Sequence, residues 1–280
     1  MYFSFYNVHR PLQGRPDLVE KYKRKLAANP DTRHSNVVYA AMVESFDRAV
    51  GRVMDQLEEQ GVAERTLVIF SSDNGGLAPS ATSNFPLRQG KGSIYEGGIR
   101  VPTIIHWSGV AAPGSTSHEP IGTCDLFPTV LEAAGVVLPK DMQPKIDGLS
   151  LVPLLRAPET SSLNRDAIFW HYPHYHMMGA IPHSAVRAGD WKLIEQHGGA
   201  PLELYNLADD IHEDHNLAAS HPARAAELQN RLATWRESVG AQMPTSNADY
   251  DPGVWDEEVW LLETLHVFSN GLVSGVESRA

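Results

Sequence analysis

The segment LVIFSSDNGG, residues 67–76, gives the clearest indication of the fold class. It begins with four apolar residues, most of them β-branched or aromatic, and becomes polar abruptly at Ser71. A short apolar run of this kind predicts a buried parallel β-strand that leads into a loop. All-parallel sheets occur in α/β proteins, where helices cover both faces. We therefore predict an α/β fold with a mostly parallel sheet and flanking helices.

The polar end of this segment is a candidate metal-binding loop. In open α/β sheets, ligands bind at the carboxyl ends of the strands, which is where this loop lies. The adjacent Asp73 and Asn74 offer oxygen ligands of the kind that Ca²⁺ and Mg²⁺ prefer, and Gly75 and Gly76 permit close backbone approach. The same residue types also dominate ordinary turns. On these residues alone, a metal-binding loop and a simple turn are both open.

A second motif, GKGSIYEGGIRVP, follows at residues 90–102. Lys91 lies between Gly90 and Gly92, and neighbours without side chains let a lysine approach an anion with little steric hindrance. A lysine on an ordinary surface does not need this setting. Lys91 is therefore a candidate anion-binding residue.

Together, the two motifs resemble the C-terminal half of the type I sulfatases, a family of the alkaline phosphatase-like superfamily. The resemblance implies an incomplete alkaline phosphatase-like domain. It also implies a divalent metal, usually Ca²⁺, held partly by Asp73 and Asn74. Lys91 matches the lysine that contacts the sulfate group in this family, which gives it a catalytic role.

The start of the chain carries a third candidate, His9. Residues 1–8 are aromatic and apolar, predict a strand, and lead into His9-Arg10-Pro11. A histidine before a turn is commonly an ordinary loop residue. The pattern of a strand followed by His-x-Pro resembles the sulfatase segment whose histidine faces the sulfate group. The resemblance gives His9 a catalytic role, as a general acid or hydrogen-bond donor near the leaving alcohol.

The nucleophile of the family is absent from the sequence. Type I sulfatases carry a Cys-x-Pro/Ser-x-Arg signature whose cysteine becomes formylglycine. Cys124, the single cysteine, is followed by Asp-Leu-Phe-Pro and does not fit. The N-terminal Asp-Asp and Lys-x-His pairs of the family are also absent. The sequence therefore resembles a C-terminal half with an incomplete Ca²⁺ site, for which a missing N-terminal half is a candidate partner.

Cys124 has a structural interpretation instead. It precedes a predicted short helix over residues 125–134, on which Leu126, Val130 and Leu131 are expected to face inward. We expect the cysteine to pack there as a small hydrophobic residue.

The composition excludes several classes of partner. The formal net charge is −11, with 23 Lys and Arg against 34 Asp and Glu. This charge argues against nucleic acid and anionic membranes, because phosphate groups attract clustered basic residues. No apolar run approaches the ~20 residues that a membrane span requires. Residues 1–6 lack the basic start and the cleavage site of a signal peptide, so the localisation stays open.

Residues 1–160 are predicted to form the C-terminal part of the catalytic α/β domain. An apolar stripe at helical spacing from Val38 to Leu57 predicts a crossover helix that leads into the strand at Leu67. Recurrent prolines over residues 136–163 mark a long connection out of the main sheet. A domain boundary is therefore expected there.

Residues 161–250 are predicted to form a small C-terminal α+β subdomain, an antiparallel sheet with one helix. Two alternating segments joined at Gly189-Asp190 predict a hairpin, and a strand over 202–207 and an amphipathic helix follow. Residues 251–280 are a tail to which we assign no role.

A stretch rich in histidine and aromatic residues, FWHYPHYH at residues 169–176, is a candidate substrate-binding segment. Alternating histidines could bind a transition metal, but no carboxylate or cysteine completes a recognisable set. Aromatic rings and histidines also suit a sugar face with its hydroxyl or sulfate groups. We favour His171 and His174 as substrate-binding residues. A loop that packs its aromatic side chains onto the sheet is equally open.

The function that the resemblance implies is metal-assisted hydrolysis of a sulfated substrate, with a carbohydrate favoured, to sulfate and an alcohol. One alternative is a phosphoester or phosphonate hydrolase of the same superfamily. Another is an inactive, truncated protein that binds sulfate esters without turnover. Whether this chain is an enzyme stays open, because the nucleophile is missing.

Overall fold

The structure is a computed structural model, and it describes residues 1–176, 178–246 and 248. The helices are α1 (Pro16–Ala28), α2 (Val37–Glu59), α3 (Glu96–Ile99), α4 (Leu126–Ala133), α5 (Val152–Arg156) and α6 (Pro222–Ser238). The strands are β1 (Leu67–Phe70), β2 (Ile104–Trp107), β3 (Ile168–Tyr172), β4 (His183–Ala188), β5 (Trp191–Gln196) and β6 (Glu203–Asn206). The predicted tail over residues 251–280 lies outside the described residues.

Helix α2 packs beside β1 through aromatic rings. The helix predicted before the strand is confirmed, and Met42 is buried on it. Phe46 of α2 contacts Phe70 of β1 with 5.6 Å between ring centroids. The first residues of the chain join this cluster through Phe5, whose ring centroid lies 4.8 Å from that of Phe46.

The strand predicted over residues 1–8 is not formed. This segment lies against α2, where the side-chain amide of Asn7 donates to the carbonyl of Met42 at 3.1 Å. A strand requires a neighbouring strand to hydrogen-bond its backbone, and β1 pairs only with β2 among the described residues. The apolar residues of this segment therefore pack through their side chains alone.

Strands β1 and β2 form an antiparallel pair, with Leu67 opposite Trp107 and Phe70 opposite Ile104. The parallel pairing predicted for the strand at Leu67 is therefore wrong for this pair. A parallel connection needs a crossover, usually a helix of a dozen or more residues, that returns the chain to the starting edge. Residues 71–103 contain one α-helix, the single turn α3, so the chain re-enters from the end where β1 stops. With α2 packed on β1, the architecture is a partial α/β fold.

Helix α4 buries polar residues more deeply than the residues predicted to face inward, of which Leu126 and Leu131 are half-buried. Val130 is 48% exposed and Cys124 is also exposed, whereas Asp125 and Thr129 are fully buried. Thr129 donates its hydroxyl to the carbonyl of Asp125 at 2.6 Å and accepts the amide N–H of Leu151 at 2.9 Å. The inner face of this helix is thus polar, which explains why the expected packing of Cys124 is wrong.

The predicted antiparallel C-terminal sheet is confirmed, in the order β3-β4-β5-β6. Gly189 and Asp190 connect β4 to β5, as the hairpin prediction required. One face of this sheet packs on α6, where Leu193 meets Leu228 and Leu232. The other face packs on the segment that follows Lys91, through Ile94 and Tyr95, as the neighbouring core cluster shows. Because both faces are covered, Lys192, Leu193 and Ile194 of β5 are all buried.

Among the described residues, no helix is both long and apolar enough to cross a membrane. The division of the chain at residue 160 and the extent of each domain stay predictions.

Candidate active site

Backbone hydrogen bonds join the loop after β1 to the loop that carries Lys91. The N–H of Gly75 donates to the carbonyl of Gly98 at 2.9 Å, and the N–H of Lys91 donates to the carbonyl of Gly76 at 3.1 Å. The side chain of Asn84 holds the same turn, since it accepts from the N–H of Gly76 and donates to its carbonyl. The two sequence motifs therefore form one contiguous region.

Two glycines make this close approach possible. A Cβ atom on Gly75 would lie 1.7 Å from the carbonyl oxygen of Gly97, and one on Gly90 would lie 2.3 Å from the carbonyl oxygen of Gly76. Neither contact is sterically possible. In this structure, the glycines of the two motifs therefore permit the packing of one loop against the other.

Asp73 and Asn74 are the two candidate metal ligands. Asp73 is exposed, and its carboxylate makes no hydrogen bond or ion pair to the part of the chain that the structure describes. Asn74 donates its side-chain N–H to the carbonyl of Gly75 at 2.8 Å, which leaves its side-chain oxygen available. Within the described residues, no three His, Cys, Asp or Glu side chains are grouped for metal binding. Two oxygen donors fit part of a Ca²⁺ site, which takes six to eight.

Lys91 lines a pocket of about 810 Å³. None of the described residues that line it is an Asp or a Glu, although the chain carries 34 of these residues. Lys91 is half-buried and forms no salt bridge with any described residue. Polar side chains of the loop after β1 and of the C-terminal sheet share the lining, among them Thr82, Asn84, His183 and Gln196. The pocket is therefore suited to an anion attached to a polar body.

His9 does not line this pocket. Its ring is exposed, donates from Nδ1 to the carbonyl of Arg10 at 2.9 Å, and lies 5.6 Å from the ring of Tyr6. Arg10 reaches the same region, since its guanidinium donates to the hydroxyl of Ser80 at 3.1 Å. Ser80 follows Pro79, which lines the pocket. The catalytic role of His9 stays a prediction.

His171 and His174, the predicted substrate-binding residues, do not line the pocket either. His171 donates from Nε2 to the carbonyl of Gln242 at 2.7 Å, so its Nδ1 accepts from the hydroxyl of Ser184 at 2.8 Å. Both of its ring nitrogens are thus engaged. His174 is exposed and contacts Tyr172 edge-on. Their role in substrate binding stays a prediction.

His183 is a pocket residue that the sequence did not reveal. It opens β4, is buried, and donates from Nδ1 to the carbonyl of Ile181 at 2.7 Å. Burial lowers its pKa below the ordinary value, despite that hydrogen bond. The ring is therefore neutral near pH 7 and offers Nε2 as an acceptor. The alternation of the hairpin indicated the strand but not which histidine would face the pocket.

A polar network fixes the segment that follows Lys91 to the C-terminal sheet. The guanidinium of Arg88 lies 3.9 Å from the centre of the Tyr95 ring and donates to the hydroxyl of Tyr205 at 3.0 Å. Both tyrosine hydroxyls donate to Glu203. Burial and the adjacent Glu203 raise the pKa of both tyrosines, so they remain neutral donors. No sequence pattern indicated this network, because its members lie far apart in the chain.

Cys124 has none of the features of an activated nucleophile. It does not line the pocket. Desolvation of its sulfur and the neighbouring Asp125 carboxylate raise the pKa of its thiol, although the residue as a whole is exposed. Reactive cysteines have lowered pKa values, because the thiolate is the nucleophile.

Comparison with known proteins shows two family matches. The sulfatase family matches residues 1–136. The family described as N-sulphoglucosamine sulphohydrolase, C-terminal, matches residues 89–238. The two matches overlap across the Lys91 motif and together cover residues 1–238.

Individual relatives agree with these matches. A sulfatase of Formosa agariphila is 38% identical over 253 residues, which cover 84% of this chain and 45% of the relative. Steryl-sulfatase of Rattus norvegicus is 42% identical over 270 residues, which cover 80% of this chain and 46% of the relative. The crystal structure of Ps i-CgsB in complex with k-i-k-neocarrahexaose superposes with a TM-score of 0.70 at 27% identity, over 96% of this chain and 55% of that one.

The chain spans about half the length of the relatives that it matches. Its fold is the corresponding part of the alkaline phosphatase-like fold of these proteins. The family matches and the relatives show that the chain belongs to the sulfatase family.

Proposed function

We propose that this chain supplies the sulfate-binding part of a sulfuric ester hydrolase that acts on a sulfated glycan. The observation that carries the proposal is Lys91, whose ammonium forms no salt bridge with a described residue and lies in a pocket whose described lining contains no carboxylate. In a chain with a net charge of −11, such a pocket is a local site for an anion. The neocarrahexaose bound by Ps i-CgsB and the sulphoglucosamine family match support a sulfated sugar as the substrate class.

Lys91 has the central role in this proposal. Its ammonium neutralises the charge that develops on the sulfuryl oxygens or on the bridging oxygen, and it does so in a position fixed before the reaction. The backbone bond to Gly76 and the anchored Tyr95 hold its loop on both sides. His9 protonates the leaving alcohol or donates a hydrogen bond to it.

Asp73 and Asn74 would hold part of the divalent metal that sulfatases use, with Ca²⁺ as the expected ion. When bound, the metal supplies positive charge that polarises the sulfuryl group. The free oxygens of both side chains fit this role. Formylglycine, which is the expected nucleophile of the family, has no counterpart among the 280 residues.

A second segment, corresponding to the part of the relatives that this chain does not match, would complete the site. Within the described residues, β1 and β2 pair only with each other, so their outer edges have no hydrogen-bond partner there. Apolar side chains are exposed beside them, including Ile104 of β2, which is 63% exposed, and Val43 of α2. Open edges and exposed apolar residues are suited to the addition of further strands.

The test is reconstitution. We expect the chain alone to hydrolyse an aryl sulfate no faster than background, because no residue of it replaces the nucleophile. Co-expression with the part of the Formosa agariphila relative that this chain does not match should restore turnover, because the proposed function requires a second segment to supply the nucleophile. Lys91→Ala should then abolish most of that turnover, whereas Lys140→Ala, at an exposed site outside the pocket, should not.

Three results would refute the proposal. Turnover of a sulfate ester by the chain alone that persists in Lys91→Ala would remove both the assigned role of Lys91 and the need for a second segment. Reconstituted turnover of a phosphonate or phosphate ester, without turnover of any sulfate ester, would favour the phosphohydrolase alternative. Sulfated-sugar binding that depends on Lys91, without turnover after reconstitution, would indicate a binding protein.

A further inference from the structure

We propose that Arg33 forms a second anion-binding subsite in the pocket of Lys91, so that the preferred substrate carries at least two anionic groups. This inference rests on the proposed function, because it assumes that the pocket receives a sulfated sugar. Arg33 lies on the connection between α1 and α2, and it lines the same pocket as Lys91. The two residues are the only Lys or Arg side chains in the described lining.

The side chain of Arg33 is held in place by an aromatic stack. Its guanidinium carbon lies 3.5 Å from the centre of the Phe85 ring. Phe85 in turn contacts His212, with 5.3 Å between ring centroids. A guanidinium that stacks through its face keeps the N–H donors of its edge available for a carboxylate or a sulfate. The stack therefore orients the arginine without consuming its donors.

No acidic side chain among the described residues pairs with Arg33. Arg33 forms no salt bridge with any described residue, although the chain has more Asp and Glu than Lys and Arg. The part of the pocket lining that the structure describes contains two cations and no carboxylate. Hydroxyl and amide side chains, such as Ser83 and Gln89, share the lining with them. These groups are suited to sugar hydroxyls.

The pocket is large enough for a sugar that carries two separate anionic groups. A volume of about 810 Å³ lies near the upper end of the range typical of small-molecule sites. A single sulfate group fills a small part of such a volume, and the remainder takes the sugar. Lys91 and Arg33 enter from different segments, the loop before α3 and the α1–α2 connection. A second sulfate or carboxylate on the sugar would meet Arg33 while the first contacts Lys91.

The experiment is a ligand-observed NMR titration of the chain with matched sugars. Glucosamine and galactose, each with one or with two sulfate groups, are compared at constant ionic strength. One of the two sugars is expected to bind more tightly than the other. For that sugar, we expect the form with two sulfate groups to bind at least fivefold more tightly than the form with one. Arg33→Gln should reduce that preference to less than twofold, and Arg33→Lys, which keeps the charge but not the planar stack, should give an intermediate value.

Two further variants separate local from general effects. Phe85→Leu should reduce the preference, because it removes the ring that orients the guanidinium. Arg52→Gln, an exposed arginine on α2 outside the pocket, should leave the preference unchanged. Circular dichroism of each variant checks that the fold is retained.

The outcomes distinguish this inference from the proposed function. Binding that depends on Lys91 but shows no preference for the disulfated sugar would overturn the inference alone. An equal loss of affinity for both forms in Arg33→Gln would also overturn it, because Lys91 and Arg33 would then share one sulfate. If none of the four sugars binds in a manner that depends on Lys91, the proposed function fails as well.

Discussion

The ammonium of Lys192 lies 2.8 Å from the carboxylate of Glu213, and both side chains are fully buried. Lys192 also lies 2.9 Å from the carboxylate of Glu96, the first residue of α3, and donates to the carbonyl of Ile94. Burial raises the pKa of Glu213, and the charge of Lys192 opposes this rise. One buried lysine on β5 thus holds both the segment after Lys91 and the loop after β6.

Replacing this lysine should destabilise the protein strongly. Lys192→Met would leave Glu213 buried without a counter-charge and would leave Glu96 with only its longer contacts to Arg100 and Arg187. Breaking a buried pair in this way typically costs about 3–5 kcal/mol of unfolding free energy. Urea unfolding followed by tryptophan fluorescence measures the loss. Lys140→Met, at an exposed site, should leave the unfolding midpoint nearly unchanged. Equal midpoints for the two variants would show that the buried pair does not stabilise the fold.

The sequence revealed the strand that carries Lys192 but not its role. Gly189 and Asp190 indicated the hairpin, because a two-residue turn between alternating segments is a local signal. The partners of Lys192 lie 96 residues before it and 21 after it. No local pattern indicates such a pairing. A lysine in an alternating strand ordinarily faces solvent, and here it is buried because a second layer covers that face of the sheet.

At the candidate site, too, local sequence signals could be predicted, but contacts between residues far apart in the chain could not. The proximity of the two glycine-containing motifs followed from the family resemblance, and Gly75 and Gly90 explain it physically. The direction of β2 could not be predicted from its composition, since an apolar run is the same for either pairing. No feature of the sequence indicated that Arg33 would line the pocket. It reaches the pocket only because the α1–α2 connection folds over Phe85.

Breaking a second ion pair with a buried carboxylate should destabilise the protein to a similar extent. Arg165 contacts both carboxylate oxygens of the fully buried Asp125, which also accepts the N–H of Gly122 at 2.7 Å and of Leu149 at 2.8 Å. Arg165→Met would leave this carboxylate without its counter-charge, so we expect a loss of about 3–5 kcal/mol in unfolding free energy.

Arg15→Met provides the matched control for Arg165→Met. Arg15 also pairs with an aspartate, Asp17, but both side chains are exposed. Exposed pairs contribute little to stability. A loss of stability in Arg15→Met as large as that in Arg165→Met would contradict the stabilising role of the Arg165–Asp125 pair. The absence of any loss in Arg165→Met would also contradict it.

The buried His183 predicts how stability depends on pH. Burial lowers its pKa in the folded protein below the ordinary value of 6.5, and the nearby His171 and Lys192 act in the same direction. Between the lowered pKa and the ordinary one, the unfolded chain therefore binds more protons than the folded protein. The stabilisation is present above pH 6.5 and is lost as the pH falls through the folded pKa.

Urea unfolding at a series of pH values tests this dependence. The unfolding free energy should fall as the solution is acidified below pH 6.5. His183→Asn, which can keep the hydrogen bond to Ile181 but does not titrate, should show a smaller fall. His118→Asn, at an exposed site, should match the wild type. A fall of equal size in all three proteins would show that His183 is not its source.

Calcium binding by the chain alone should be weak. Ca²⁺ takes six to eight oxygen ligands, and the candidate ligands are Asp73 and Asn74. The described residues contain no group of three or more His, Cys, Asp or Glu side chains that could hold a metal ion. We expect a dissociation constant of about 1 mM or above by isothermal titration calorimetry, at the weak end of protein calcium sites.

Asp73→Asn should remove the remaining heat of binding, whereas Asp141→Asn, at an exposed site elsewhere, should not. Addition of the part of the Formosa agariphila relative that this chain does not match should tighten binding, because the proposed site is shared between the two segments. Micromolar binding by the unaided chain that survives Asp73→Asn would place the metal elsewhere and exclude Asp73 as a ligand.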